Sequence, residues 1–207
     1  MKKEILQQID YFCNKIKQFG SNNRGVDWNS EEAQRVRYDQ LSKILSVETS
    51  EKDFSICDYG CGYGYYFGYL KERGYHCQYT GIDVVTGMIE EAKKIYGEEE
   101  TEFVVGSEIA GEYDYIVESG IFNIRQEISN EEWTQYVIGV LEEFNKHSNK
   151  GFAFNCLTKY SDVDHMKDYL YYADPCFFFD YCKTHFSRNV ALLHDYEIYD
   201  FTILVRK

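Results

Sequence analysis

Apolar positions recur at three- and four-residue steps through the first part of this chain, then give way to short apolar runs alternating with helical stripes. Over residues 2–19, Ile5, Ile9, Phe12, Ile16 and Phe19 fall on one side of a 3.6-residue repeat, which predicts an amphipathic helix. Residues 20–29 hold Gly, Asn and Ser and read as a loop. Asn29 and Glu32 form a capping pair that opens a second helix, with Val36, Leu41, Ile44 and Leu45 as its buried face. A polar run, Thr49 to Asp53, leads into the first strand.

From Phe54 the period changes. Phe54 to Cys57 reads as a buried strand, and an apolar run ending at Leu70 as a helix starting in a glycine loop. His76 to Ile82 is a second strand, closed by Asp83. Thr86 to Tyr96 carries Met88, Ile89, Ala92 and Ile95 at helical spacing. After the charge run Glu98 to Glu100 come strands at Phe103–Val105 and Tyr113–Val117. Ser129 to Glu132 is a capping box, followed by a stripe of Trp133, Tyr136, Val137, Val140, Leu141 and Phe144. Lys150–Leu157 is a fifth strand. Residues 158–188 are aromatic and irregular, and Val190–Tyr196 and Tyr199–Arg206 read as two final strands. Strands alternating with helices predict an α/β domain with a parallel sheet.

The stretch Phe54 to Leu70, FSICDYGCGYGYYFGYL, organises the rest. Asp58 is followed by glycines at alternate positions, Gly60, Gly62 and Gly64. Glycines suit such a turn because a Cβ would block a ligand or forbid positive φ. A dinucleotide fingerprint needs G-x-G-x-x-G. Here the sixth position is Tyr65 or Phe67, depending on the starting glycine. An acid inside the loop suits a cationic ligand and would repel a pyrophosphate. The alternative is a tight strand-to-helix turn with no ligand.

The pattern D-x-G-x-G-x-G resembles the first motif of the class I S-adenosylmethionine-dependent methyltransferases. The match runs in order from about Phe54 to the C-terminus. It implies a Rossmann-like, seven-stranded, mostly parallel sheet of order 3-2-1-4-5-7-6, with helices on both faces and an antiparallel edge hairpin. The chain would be a single domain over 1–207, with residues 1–50 as an N-terminal helical cap and 158–188 as a substrate-side insertion. The cofactor would be S-adenosylmethionine. Asp58, Gly60 and Gly62 would hold its methionine end. Asp83, 25 positions after Asp58, would accept the ribose hydroxyls, with Val84 beside it and Met88 flanking the adenine. Ser107 and Glu108 would meet the adenine amino group, and Glu118 would end the fourth strand where the methyl sits. Trp28 to Tyr38 looks like a pattern found in part of this family. It would bring Arg37 to the cofactor carboxylate and Trp28 over the site. A surface arginine and a packing tryptophan are the plain alternative.

Charge and cysteines narrow the function. A net charge of −13 disfavours a phosphate-backbone partner. The proline-bearing motifs of base-modifying methyltransferases are also missing after the fourth strand. No signal peptide and no apolar run near the ~20 residues of a membrane span is present, so a cytoplasmic protein is expected. Seven cysteines without C-x-x-C spacing read as reduced thiols. Tyr-rich walls in 158–188 suit a polar organic acceptor, a hydroxyl or amine of a sugar-like or other polar metabolite. His165 is the candidate general base, and Asp162, Asp164 and His165 are a weak metal pattern outweighed by an exposed turn. The rival functions are a non-catalytic module that binds the cofactor as a sensor or assembly subunit, and an NAD-dependent oxidoreductase. The failed dinucleotide fingerprint argues against the second.

Overall fold

In the computed structural model, residues 3–20, 22, 25, 30–45, 53–97 and 101–207 are described. Seven strands, β1 (Phe54–Tyr59), β2 (Cys77–Asp83), β3 (Thr101–Val105), β4 (Tyr113–Glu118), β5 (Ser148–Leu157), β6 (Asn189–Leu193) and β7 (Asp200–Arg206), form one sheet. Their order is β3-β2-β1-β4-β5-β7-β6, as the resemblance implies. The first five strands run parallel, and β7 is antiparallel to both β5 and β6. The order reverses at β1, which lies between β2 and β4. Open α/β sheets bind ligands in the crevice at such a reversal, beyond the C-terminal strand ends.

Alternate residues of the central strands feed two cores, as a sheet covered on both faces requires. Phe152, Phe154, Ile203 and Val205 face α5 (Asn130–His147) and α6 (Pro175–His185), meeting Val137, Leu141, Phe144 and Phe178. Ile56, Ala153 and Leu204 face the other way, towards α2 (Glu31–Leu41), α3 (Tyr65–Glu72) and α4 (Thr86–Tyr96). Helix α1 (Lys3–Phe19) lies near the C-terminal strand ends and packs against α4.

Local chemistry explains the helix starts. The capping box at α5 is complete: Ser129 Oγ accepts the Glu132 amide at 3.2 Å, and Glu132 accepts the Ser129 amide at 3.4 Å. Helix α2 is capped by Ser30, whose hydroxyl accepts the Ala33 amide at 3.0 Å. Asn29 and Trp28 lie outside the described residues.

Three expectations need correction. Strand β1 runs on to Tyr59, so Asp58 is inside the sheet, opposite Gly81 and Val117. The inward face of α2 is Gln34, Arg37, Tyr38 and Leu41, while Val36 is only half-buried. Residues 158–188 are not irregular throughout. Asp174 accepts the Cys176 amide at 3.0 Å, Pro175 occupies the first turn, and α6 follows as a core helix with Phe178 and Cys182 buried.

Candidate cofactor and acceptor site

The glycine loop is shaped by positive φ and by β2. Gly60, Gly62 and Gly64 have φ of 82°, 55° and 79°, a region open to glycine and costly for other residues. The amides of Gly60 and Cys61 both donate to the Ile82 carbonyl, at 2.8 and 3.1 Å. A Cβ on Gly60 would lie 2.3 Å from Ile121 Cγ2, in the loop after β4. The two loops therefore touch, and only a glycine fits between them.

Asp83 closes β2 and ties the same loop. Its Oδ2 accepts the Gly62 amide at 2.9 Å, and its Oδ1 accepts the Val85 amide at 2.8 Å. Each oxygen retains acceptor capacity for a ligand hydroxyl. Burial pushes the carboxyl up to about 6, against the two amides that lower it.

Two further acids lie beneath the loops. Asp58 is buried and receives the Tyr79 phenol at 2.5 Å, and burial raises it to about 7. Glu118 is fully buried. Its Oε1 accepts the Ile121 and Phe122 amides at 2.7 and 3.4 Å. Burial drives Glu118 well above the usual carboxylate range, and its Oε2 is buried without a hydrogen-bond partner among the described residues. The C-terminal ends of β1, β2 and β4 thus carry three acids in a row whose charged forms are disfavoured. A cationic group above them would favour ionisation.

Above these strand ends opens a cavity. Gly60, Gly62, Asp83, Val84, Met88 and Ser107 line one half. Ser107 also fixes the rim, since its carbonyl accepts the Tyr59 phenol at 3.0 Å. The other half is walled by Ser119–Ile121, Asn123 and Ile124 after β4, by Lys167, Tyr169 and Leu170, and by Ile5 and Gln8 of α1, while Phe12 of that helix packs against the cluster of Tyr63, Val85 and Met88 on the first half. Gln8 fastens α1 by donating to the Ile121 carbonyl at 2.7 Å. Residues 167–171 run beside the β4 loop: Ile124 bridges Leu170, and the Tyr171 amide donates to the Asn123 carbonyl at 2.8 Å.

Arg37 reaches the cavity wall from α2, already paired. Its Nε and Nη2 donate to the two oxygens of Asp200, at 2.9 and 2.5 Å, and Nη1 donates to the Ala33 carbonyl at 2.9 Å. Gln34 lines the wall one turn earlier and donates to the Tyr38 phenol at 2.9 Å. Sequence reading missed Gln8 and Lys167, and singled out neither Gln34, which lies inside the Trp28–Tyr38 pattern, nor Tyr169, which lies in the Tyr-rich segment 158–188. The i, i+3, i+4 spacing of Gln34, Arg37 and Tyr38 is the signal that would have found one of them.

Of the residues singled out by sequence, Arg37, Gly60, Gly62, Asp83, Val84, Met88 and Ser107 meet at the cavity. Asp58 and Glu118 sit behind its wall and do not line it. Glu108 is exposed beyond Ser107. His165 is also displaced from the expected role: it lies in an exposed turn, with Nδ1 3.0 Å from the Tyr199 hydroxyl, and does not line the cavity. Tyr199 in turn donates to Asp162 at 2.5 Å, and no cluster of three metal-ligating side chains occurs among the described residues.

The comparisons with known proteins agree with this geometry. Residues 56–143 match a family model described as a methyltransferase domain. Over 164 residues the chain is 50% identical to the methyltransferase-family protein Rv1506c of Mycobacterium tuberculosis, covering 79% of this chain and 99% of that one. It is 29% identical over 93 residues to a malonyl-[acyl-carrier protein] O-methyltransferase of Acetivibrio thermocellus, covering 43% of this chain and 32% of that one. The magnesium protoporphyrin IX methyltransferase of Synechocystis PCC 6803, solved with S-adenosylmethionine bound, superposes with a TM-score of 0.70 at 15% identity. That alignment covers 100% of this chain and 99% of the other. The sheet, the glycine loop and the acid closing β2 define a class I methyltransferase fold. The chain belongs to the S-adenosylmethionine-dependent methyltransferase family.

Proposed function

We propose that the half of the cavity built on β1, β2 and β3 holds S-adenosylmethionine and that the half walled by α1 and residues 167–170 takes the methyl acceptor, a small polar metabolite. The acceptor atom is a hydroxyl or amine, as the polar and aromatic walls favour. The bound cofactor supplies a methyl group already activated on a sulfonium. The chain's residues then bind, orient and exclude water, which is where much of the rate of such a transfer arises.

The observation that carries this reading is the Asp83 carboxylate, held by the Gly62 and Val85 amides at the cavity floor with acceptor capacity left for ribose hydroxyls. Gly60 and Gly62 let a ligand approach the backbone. Met88 and Val84 offer an apolar flank for an aromatic base, and Ser107 stands at its rim. Arg37 is a fixed positive wall, locked by Asp200, suited to a carboxylate. Asp58 and Glu118 act from beneath, as acids whose ionised forms a cationic ligand favours. The second half of the cavity, with its own polar and aromatic walls, favours an enzyme over a binding-only module. The name of the Acetivibrio thermocellus relative gives an oxygen acceptor for that protein, and an oxygen acceptor is the reading preferred here. The net charge of −13 supports a small molecule over a nucleic acid, and no described helix is long and apolar enough to cross a membrane.

The test is transfer of labelled methyl from S-adenosylmethionine to a fractionated pool of small metabolites. Label should appear in a small polar compound with wild-type protein and fall sharply with Asp83→Ala. Label found only in protein or nucleic acid would overturn the acceptor class.

A further inference from the structure

We propose that the acceptor is an acid, and that the methylated atom is an oxygen ionised before it enters the site, with Lys167 as the residue that reads its charge. This rests on the placement of the two cavity halves above and narrows the hydroxyl to that of a carboxylic, phosphonic or phosphoric group.

The first observation concerns bases. A neutral hydroxyl needs a proton acceptor as it attacks, within hydrogen-bond reach. Among the described residues lining the cavity there is no histidine, and Asp83 is the single carboxylate. Asp83 is held by two backbone amides on the cofactor side. Asp58 and Glu118 are behind the wall, and His165 is outside it. Six described tyrosines also line the cavity: burial raises the phenols of Tyr38, Tyr59, Tyr63, Tyr65 and Tyr136, which keeps them neutral and poor bases, and the hydroxyl of the sixth, Tyr169, faces the Lys167 ammonium at 3.5 Å. An oxygen that arrives ionised needs no base.

The second observation concerns charge. Two cations line the cavity among the described residues, Arg37 and Lys167. Arg37, paired with Asp200 through two bonds, is assigned above to the carboxylate of the cofactor. Lys167 is exposed, and its ammonium has a phenol, Tyr169 at 3.5 Å, rather than a carboxylate beside it. In a chain of net charge −13, such a cation is placed against the general field. It lies on the stretch bridged to the β4 loop through Ile124 and Leu170, so it belongs to the acceptor half. A charge-assisted hydrogen bond from Lys167 would bind an acid. It would repel a protonated amine, which would also need a base.

The transfer balances without a proton. A lone pair of the acceptor oxygen forms the new oxygen–carbon bond. The methyl–sulfur bond breaks with its pair left on sulfur, and one negative and one positive charge cancel. A neutral hydroxyl would release one proton per turnover.

The experiment begins with calorimetric binding of S-adenosylhomocysteine, then titrates the loaded protein with two series sharing a body. One is phenylacetate, benzylphosphonate, benzyl alcohol and benzylamine; the other is glucuronate, glucose and glucosamine. In at least one series the acids should bind about tenfold or more tightly than their neutral and amine counterparts, as a charge-assisted bond gives. Lys167→Ala should abolish that preference with S-adenosylhomocysteine affinity unchanged, and Lys167→Arg should keep most of it. A carboxylate that is methylated should release no proton in weakly buffered solution, and a phosphonate only the fraction of a proton that its monoanion carries at the working pH, since its second ionisation lies near neutrality. Preference between carboxylate and phosphonate then tells which acid is native. Acids that bind no better than their counterparts in both series, including no binding at all, overturn the proposal. So does a Lys167→Ala protein that still binds S-adenosylhomocysteine and keeps the acid preference. Failure of wild type to bind S-adenosylhomocysteine at the first step strikes the cofactor reading instead.

Discussion

The Gly62 amide lies 2.9 Å from Asp83 Oδ2, so the acid that closes β2 holds the glycine loop that follows β1. The same carboxylate holds Val85 at the start of α4. Asp83 therefore sets the shape of the cavity floor before any ligand arrives. Asp83→Ala leaves both amides without their acceptor. Amide hydrogen exchange at Gly62 and Val85 should speed up by at least about tenfold, the factor that a loss of about 1.4 kcal/mol of local protection gives. Unchanged exchange would mean that the loop is held by the Ile82 carbonyl alone.

Asp58 gives a pH dependence with a definite sign. Its carboxyl rises from 3.8 to about 7 through burial inside β1. A raised acid contributes stability that is fully present below its unfolded value and is lost as pH rises through the folded one. Urea unfolding should therefore show stability falling between about pH 4 and pH 7. Asp58→Asn should flatten that fall and be the more stable protein at pH 8. A cationic ligand above Asp58 and Asp83 should also expel protons from them, so its binding enthalpy at pH 6 to 7 should vary with the ionisation enthalpy of the buffer.

Arg37 and Asp200 form a buried pair between α2 and β7, bonded at 2.9 and 2.5 Å. Breaking such a pair leaves one charge buried and uncompensated, at about 3–5 kcal/mol. Asp200→Ala should lose stability on that scale, and Arg37→Met with Asp200→Leu should recover much of it. The double variant should still bind S-adenosylmethionine weakly, because the positive wall of the cavity is gone. These are read by urea denaturation and calorimetry.

His165→Ala should leave turnover and acceptor KM unchanged within twofold. The ring is exposed and bonded to Tyr199, away from the cavity. A large loss of turnover with the fold intact would bring His165 back into the mechanism.

Most strands and helices are legible in the sequence because apolar period and punctuation agree there, while the strand order is legible only through the family resemblance. The capping box at Ser129 and the helical stripe from Trp133 to Phe144 point the same way, and both are found. What escaped has a physical reason in each case. Asp58 looks like a strand end because an acid seldom sits inside a parallel sheet; here the Tyr79 phenol and a raised pKa make it tolerable. The inward face of α2 is polar because it walls a cavity, so a search for apolar residues selects Val36 over Gln34 and Arg37. Helix α6 is hidden by its aromatic run, although Asp174 and Pro175 are a helix-start signal. Lys167 and Tyr169 lie in a stretch with no period, and only the bridge between Ile124 and Leu170 brings them to the site.

The central claim is that the Asp83 floor binds S-adenosylmethionine, and calorimetric titration of S-adenosylmethionine and S-adenosylhomocysteine against wild type and Asp83→Ala tests it most directly. Both sulfur cofactors should bind wild type, and both should weaken by about tenfold or more in the variant, as loss of hydrogen bonds to a charged acceptor requires. Equal affinity in a folded Asp83→Ala protein would contradict the assignment of the floor, and the ribose contact would have to be sought elsewhere in the cavity.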